Sequence, residues 1–405
     1  MALGGVTVAV DPGGTALAVA FVGGGITLGT ASGLVPGLHA NNFALLLAAV
    51  LPAVPGPPQY VGAAMLAAGV VHTFLDVVPA LALGVPDPAM AATALPGHRL
   101  VIQGRGREAL RLSALGSGLA VAFAVPLAIP VTAVMERAYP VIRAHLTLVL
   151  AAVIVALVLT ERTVRARMGA LLAVGASGAL GLLALDLPAR GVLPAGDMLA
   201  PLFAGLFGAP VLLEALGGAG VPPQSDPTVT TTRRAVAGIA LGGTLAGAVV
   251  GYLPGISSAI AATGVLVAMP GGGPRAFLVA TSGTNTANTI FALFALVSLG
   301  TPRTGVLVAL DGAGVPLNLP LFLASVAIAA AVGFVLVLVV GDRYLAAVGS
   351  LDYTRVCVAV LAFLCLLVVA LTGLLGLAVF AASAAVGLIP ARAGAKRANL
   401  MGVLL

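Results

Sequence analysis

The sequence predicts an all-α polytopic membrane protein made of two inverted-topology repeats with broken or re-entrant helices, about 10–12 transmembrane segments in all. Three observations predict it: the composition, the lengths of the apolar runs, and a duplicated Pro-Gly pattern set against loop charge. Of the 405 residues, 60% are apolar and 8% charged, with a mean hydropathy of +1.17. A soluble domain carries roughly 25% charged residues. Too few charges remain here to cover a water-facing surface, which excludes a soluble enzyme or soluble binding module.

The apolar runs lie at about 15–35, 43–54, 61–84, 112–134, 146–160, 168–185, 198–216, 235–253, 257–270, 276–299, 316–340, 356–373 and 374–390. Several reach the roughly 20 residues that cross a bilayer. Those at 43–54 and 257–270 are too short to span and read as re-entrant or broken helices, which a membrane tolerates only where the loose backbone is buried or lines a polar cavity. No basic n-region with a short apolar run opens the sequence, so no cleavable signal is expected and the span beginning near Thr15 serves as the insertion signal. Cys357 and Cys365 share one apolar run and show no metal or redox spacing, which leaves them as packing residues.

Residues 33–42, GLVPGLHANN, have a counterpart in 251–260, GYLPGISSAI, and 81–86, LALGVP, in 297–302, VSLGTP. The offsets nearly agree, 218 residues from Pro36 to Pro254 and 216 from Pro86 to Pro302. The chain therefore divides into a first transmembrane repeat, 1–216, a polar Pro-containing cytoplasmic linker, 217–234, and a second repeat, 235–405. Loop charge orients the halves, because cytoplasmic loops collect Lys and Arg. Fourteen basic residues fall in 96–111, 161–167, 217–234, 341–355 and 391–397, taken as inside, against Arg137, Arg143 and Arg190 on the other side. Loop 96–111 is then inside and its counterpart 311–315 outside, the signature of inverted repeats, with the N-terminus outside and the C-terminus inside a prokaryotic plasma membrane. The net charge of +6 reads as this topology and not as a nucleic-acid patch.

Pro-Gly should break each first helix, since Pro lacks a backbone donor and Gly bends freely. Where Pro36 and Pro254 precede short helices, the open N-terminal amides point into the protein and favour an anionic group. Candidate substrate contacts are thus Pro36, Gly37, His39, Asn41 and Asn42 in one half and Pro254, Gly255, Ser257 and Ser258 in the other. Packed, kinked helices are the competing reading, and the duplication favours a site.

A second constellation pairs 70–88 with 281–305. His72 and Asp76 are four apart on one helical face, and an acid inside a membrane is costly enough to mark a functional site, with a proton or cation relay as its natural role. At the 216-residue offset His72 matches Asn288 and Thr73 matches Thr289. Five of the six positions 284–289 carry amides or hydroxyls. Asn285 and Asn288 become candidate substrate contacts, and Thr284 and Thr286 join His72 and Asp76 as candidate ion-coupling residues. The alternative is interhelical hydrogen bonding, with His72 and Asp76 satisfying one another. Asp87 aligns with Arg303, so the two pair across a pseudo-two-fold axis, or Arg303 grips a substrate carboxylate in bidentate fashion, or it snorkels to the interface. Topology and headgroup contact account for Glu214, Asp186 and the cluster from Arg99 to Arg111. Neither a Walker motif, nor zinc spacing, nor a Ser/His/Asp set is present, so no catalytic residue, metal site or cofactor is expected beyond Na+ or H+ as coupling ion.

The motif set resembles the large permease subunit of tripartite tricarboxylate transporters, the TctA type. Gly-x-x-Pro-Gly at 33–37 and 251–255 carries the likeness, with LGVPD followed by 91–117, AATALPGHRLVIQGRGREALRLSALGS, and with 387–405, GLIPARAGAKRANLMGVLL. The chain is short for that family, and TNTANT and GTPRT replace an acidic, Asn-rich stretch and a GIPG turn. The resemblance implies a secondary transporter of di- or tricarboxylates driven by a cation or proton gradient. It also implies a small membrane subunit and an extracytoplasmic solute-binding protein as partners, although a solitary member with another substrate fits as well. The two Pro-Gly breaks and TNTANT map onto the family's motif positions as substrate or ion contacts.

The leading expectation is alternating-access transport of a small organic anion, with the bilayer as surroundings and no nucleic-acid partner. A polyprenyl-phosphate translocase is the alternative, because paired re-entrant helices also suit a lipid phosphate. A non-transporting membrane scaffold leaves His72, Asp76 and the duplicated breaks without a role.

Overall fold

The computed structural model describes residues 2–3, 6–7, 11–36, 38, 40, 43–44, 47, 54–84, 94–193, 198–216, 220–225, 228–253, 256–268 and 273–404. Apart from a two-residue antiparallel pairing of Ala2–Leu3 with Val6–Thr7, every regular element among them is helical. In chain order these are α1 (Pro12–Gly33), α2 (Pro58–Leu75), α3 (Val77–Leu83), α4 (Ala94–Ile102), α5 (Gly106–Ala144), α6 (Leu146–Leu159), α7 (Val164–Ala184) and α8 (Leu199–Phe203). A single π turn, Ala204–Gly208, leads to α9 (Ala209–Ala215), followed by α10 (Arg233–Tyr252), α11 (Ser258–Ala268), α12 (Gly273–Leu299) and α13 (Gly305–Gly312). The last are α14 (Leu319–Ser350), α15 (Tyr353–Gly387), α16 (Ile389–Ala393) and a 3₁₀ turn, Arg397–Leu404.

Local chemistry sets the helix starts. Side-chain oxygens of Asp11, Thr163, Thr232, Thr304, Asn318 and Asp352 accept from the open amides of Gly13, Ala166, Ala235, Leu307, Leu321 and Arg355 at 3.0–3.4 Å. Pro12 and Pro320 sit in first turns, where a missing N–H costs nothing.

Among the described residues, seven helical stretches are long and apolar enough to cross a membrane: Pro12–Gly33, Pro58–Leu83, Gly106–Ala144, Val164–Ala184, Arg233–Tyr252, Leu319–Ser350 and Tyr353–Ala393. The other expected segments take different forms. Leu146–Leu159 and Leu199–Ala215 are shorter apolar helices. The 27-residue α12 carries the polar run 281–289, which dilutes its apolarity although almost all of it is buried. The expected segments 356–373 and 374–390 merge into α15, broken at Gly373, whose φ of +73° lies in the left-handed region. Carbonyls near that break, of Thr372 and Ala370, accept from Arg190 N–H at 3.3 Å and Leu193 N–H at 3.0 Å.

Polarity is arranged inside out. Leu182 and Leu374 are 87% and 78% exposed, whereas His72, Thr284 and Thr286 are fully buried. Apolar side chains face outward where lipid would lie, and the hydroxyls collect in the middle.

Two helix pairs repeat each other in register. In α1, a Cβ at Gly25 or Gly29 would strike the carbonyls of Ala64 or Ala68 on α2, and one at Gly33 would lie 3.0 Å from the His72 carbonyl and 2.8 Å from Leu75 Cβ. In α10, Gly243 meets Ala280 of α12, Gly247 meets Thr284 and Asn288, and Gly251 meets Asn288 and Phe291. The glycines match at the 218-residue offset and their partners at 216. Both contacts are parallel, backbone against backbone, as small residues at a four-residue spacing permit. Each long helix then packs on the opposite half, α5 on α12 and α14 on α2.

Segments that loop charge placed on one side lie against one another. Gln224 Oε1 accepts from Gly106 N at 2.6 Å, Ser225 N donates to the Gly104 carbonyl at 2.7 Å, and Arg107 pairs with Asp342 at 2.6 Å, joining 96–111, 217–234 and 341–355. Glu161 accepts from Lys396 N at 2.8 Å and Asn399 Nδ2 at 2.9 Å, joining 161–167 to 391–404. The roles expected for two groups of charges change accordingly. Glu214 pairs with the buried Arg397 at 2.6 Å, and Arg105 pairs with Glu108 at 2.8 Å, so these are contacts within the protein instead of headgroup contacts.

Candidate functional site

The buried polar centre lies where α2 and α3 cross α12 and α5. Pro79 has no N–H to offer the Leu75 carbonyl one turn earlier, and the helical run Pro58–Leu83 is interrupted between α2 and α3 at Asp76, whose own backbone stays helical. Asp76, 3% exposed, accepts at Oδ2 from Asn285 Nδ2 at 2.7 Å. His72 holds Ser32 Oγ of α1 at 2.9 Å through Nδ1 and stacks on Phe43 with ring centres 6.0 Å apart. His72 and Asp76 thus each have a partner on another element.

A hydroxyl chain continues from there. Thr73 Oγ1 lies 3.2 Å from Thr286 Oγ1, which donates to Ser117 Oγ at 2.9 Å. Ser117 donates to the Ser282 carbonyl at 3.2 Å, and Ser282 Oγ meets Ser113 Oγ at 2.8 Å. Three helices are tied by groups that each donate and accept. Thr284 stands apart, donating to Ala280 of its own helix at 2.8 Å. Between Leu278 and Leu296, Asn288 alone is not buried, and its Oδ1 has no hydrogen-bond partner among the described residues.

Each helix break sits beside this centre. Gly33 packs on His72 just before Pro36, which occupies a half-buried turn after α1. Gly251 packs on Asn288, and Tyr252, fully buried, lies 2.5 Å from Thr132 Oγ1 through its hydroxyl and 6.4 Å from the Phe291 ring. Beyond that break Ser257 caps α11, its Oγ accepting from Ile260 N at 3.3 Å, with Ser258 buried beside it. Gly37, His39, Asn41, Asn42, Asp87, Pro254 and Gly255 lie outside the described residues.

Arg303 is not part of the centre. It follows the end of α12, about 20 Å along the axis from Asn285 at 1.5 Å per residue. Its Nη2 donates to the Tyr139 hydroxyl, and its guanidinium carbon lies 5.3 Å from that ring centre. The opposite end of α12 is held by Arg275, whose Nε and Nη2 donate to Glu108 at 2.8 and 3.1 Å. Among the described residues no three His, Cys, Asp or Glu gather into a metal-binding group.

Sequence reasoning missed Ser32, Ser113, Ser117, Ser282, Thr132, Tyr139 and Tyr252. A signal existed for the glycine stripes, Gly25-x3-Gly29-x3-Gly33 and Gly243-x3-Gly247-x3-Gly251, once the halves are aligned. Scattered hydroxyls on α5 carry no such period.

Apolar spans around a buried core of hydroxyls, amides and an acid define a multi-pass helical membrane protein, the class to which carriers belong. The chain belongs to the tripartite tricarboxylate transporter TctA family, which matches residues 19–402. Family members are permease components of tripartite systems that also contain a small membrane subunit and a solute-binding protein. An uncharacterized protein of Methanocaldococcus jannaschii is 24% identical over 386 residues, covering 94% of this chain and 95% of the relative. No solved structure matches the chain.

Proposed function

We propose that the chain is a secondary transporter of small di- or tricarboxylates working by alternating access. The observation that carries this reading is the in-register repeat of α1 on α2 by α10 on α12, which sets a helix break beside His72 in one half and beside Asn288 in the other. The substrate anion sits between the Pro36 and Pro254 breaks, held by α11 amides behind Ser257 and Ser258, by Asn285 and Asn288, and by Gly37, His39, Asn41, Asn42 and Gly255. Arg303 serves as an outer contact on the substrate's path. His72, Asp76 and Thr286 handle the coupling ion, and Thr284 holds the packing that aligns them.

Inverted repeats are part of this proposal. Leu81, near the end of α3, accepts from His98 of α4 at 2.7 Å, while Arg275, at the start of α12, bonds Glu108 just beyond α4. Equivalent helices with opposite ends at one place support the inversion. The protein lies in the plasma membrane of a prokaryote, N-terminus outside and C-terminus inside, and works with a small membrane subunit and an extracytoplasmic solute-binding protein.

Thermal unfolding of the purified protein in detergent tests the reading against citrate, succinate and a polyprenyl phosphate, with and without sodium, across pH. A ligand at about 100 times its Kd adds roughly 2.7 kcal/mol. Stabilisation by a carboxylate is expected. A response to the lipid phosphate alone would replace this reading with lipid-carrier translocation.

A further inference from the structure

We infer that the membrane face where α7 begins binds an anionic phospholipid, its phosphate held between residues 160–167 and 392–396 and its acyl chains lying along α7. Two groups of basic residues gather between helix ends, and they are compensated differently. In the first, Arg105 and Arg275 bond Glu108 at 2.8 Å and Arg107 bonds Asp342 at 2.6 Å, so these guanidiniums meet carboxylates. In the second, the cations bond neutral oxygens. Arg165 Nη2 donates to the Arg392 carbonyl at 2.8 Å, Arg167 Nε to the Glu161 carbonyl at 3.1 Å, and Lys396 Nζ to the Thr160 carbonyl and hydroxyl at 3.1 and 2.7 Å.

These bonds draw two chain segments together and leave their charge uncancelled. Arg162, Arg165, Arg167, Arg392 and Lys396 are exposed, and Glu161 is the one acid in either segment. That carboxylate is buried, accepting from Lys396 N at 2.8 Å and Asn399 Nδ2 at 2.9 Å. Arg397, next in the chain, is buried and balanced by Glu214 at 2.6 Å. Partial burial pushes the Lys396 ammonium below its ordinary value of 10.5, with Glu161 opposing and Arg162 adding to the lowering, so cations repel one another across the patch. A phosphodiester answers such a group of donors, because its oxygens take guanidinium forks and an ammonium together.

The helix that leads away from the patch supplies the other half of a lipid's shape. Val164, Met168, Leu171 and Leu172 follow at i, i+4, i+7 and i+8 on one face of α7 and are 57–72% exposed. The opposite face, with Ala166, Gly169, Ala170 and Ala173, is buried in the protein. The apolar stripe thus starts among the cations and runs about 12 Å to Leu172 at 1.5 Å per residue. Beyond it the exposed Gly175, where a Cβ would meet nothing within 4 Å, leaves a notch before Leu182. A free phosphate or carboxylate fits the cations alone, whereas a phospholipid fits the cations and the stripe. A headgroup with net negative charge is favoured, since one carrying its own ammonium brings nothing to cancel the excess.

The test is thermal unfolding of the full chain in a neutral detergent, titrated with dioctanoyl phosphatidylglycerol, dioctanoyl phosphatidylcholine or inorganic phosphate. Phosphatidylglycerol should stabilise wild type with a midpoint roughly tenfold or more below that of phosphatidylcholine, and inorganic phosphate at the same concentrations should not stabilise it. Roughly 1 kcal/mol per basic residue at an anionic surface is about fivefold in affinity, so Arg392→Gln and Lys396→Gln should each raise the phosphatidylglycerol midpoint about fivefold. Arg137→Gln, which removes an exposed charge from α5, should leave it unchanged. Arg392→Gln carries the test should Lys396→Gln fail to fold, because only the Arg392 carbonyl is bonded in the patch among the described residues. Equal midpoints for the two lipids, an equal shift in Arg137→Gln, or stabilisation by inorganic phosphate matching phosphatidylglycerol would each overturn the lipid site.

Discussion

Replacing Gly247 by alanine adds one methyl group to α10 at a close contact with α12. An ideal Cβ there would lie 2.6 Å from Ala287 Cβ, 2.9 Å from the Thr284 carbonyl oxygen and 3.0 Å from Asn288 N. Two of the three neighbours are backbone atoms, which cannot rotate away. Ordinary contact begins near 3.4 Å, so α10 must retreat by nearly 1 Å or shed packing along the stripe. Overpacking of this kind costs about 1–3 kcal/mol. The helix-propensity gain of alanine over glycine, roughly 1 kcal/mol, offsets part of it and leaves a net loss of about 1–2 kcal/mol. Gly238→Ala is the internal control, because a Cβ there meets nothing within 4 Å on the same helix. In detergent, Gly247→Ala should unfold at a lower temperature than wild type, and Gly238→Ala should match or exceed it. The retreat also moves Tyr252 and the break beyond it away from Asn288, so carboxylate stabilisation should fall with it. A Gly247→Ala protein as stable as Gly238→Ala would refute the close parallel packing on which the repeat argument stands.

Three further outcomes follow from particular contacts. Tyr252→Phe removes the hydroxyl 2.5 Å from Thr132 and should cost about 1 kcal/mol by thermal unfolding, while Thr132→Val on top of it should add little, since the contact is already lost. A double-mutant cycle of Thr73→Val and Thr286→Val should give a coupling of about 0.6 kcal/mol, the modest value usual for hydrogen bonds between membrane helices, and a coupling of zero would remove this contact from the hydroxyl chain. Burial pushes the His98 imidazole below its ordinary value of 6.5, with the Leu81 carbonyl opposing in part. The folded state therefore prefers the neutral ring, so stability is full above pH 6.5 and falls as the pH drops below it. Titrated unfolding should show that acid-side loss in wild type and a smaller one in His98→Gln.

The helices were legible because apolar length and helix-stop residues are local properties. The runs at 15–35, 146–160 and 235–253 became Pro12–Gly33, Leu146–Leu159 and Arg233–Tyr252, each end shifted by a few residues. Two short motifs give offsets of 218 and 216 residues, and at the second offset His72 aligns with Asn288, the residues that Gly33 and Gly251 respectively abut. Side-chain partners were not legible. Which hydroxyl of α5 meets Ser282 depends on the rotation of one helix about its axis, and a turn of 100° moves Ser113 and Ser117 off the contact. Tyr252 and Thr132 are 120 residues apart, and Tyr252 stands where the matching motif has Leu34, so the repeat gives no sign of the contact. The contact of Arg303 with Tyr139 was hidden for a related reason, since Tyr139 stands on α5, outside the aligned motif.

Glycine links the two scales of this architecture. A polar site inside a membrane needs backbone breaks, and each break exposes amides and carbonyls that must find partners within the protein. Bringing a neighbouring helix near enough to a break requires that the contact carry no side chain on one face, which Gly33 and Gly251 supply against His72 and Asn288. The same contact then fixes which polar side chain stands at the break, because a helix packed backbone to backbone cannot rotate without collision. Once that register is duplicated, a single substitution between halves, imidazole for amide, changes the chemistry at one break without altering the packing at either. In the transporter proposed here, stability and specificity are thereby separated, with the glycine stripes carrying the first and the residues they abut carrying the second.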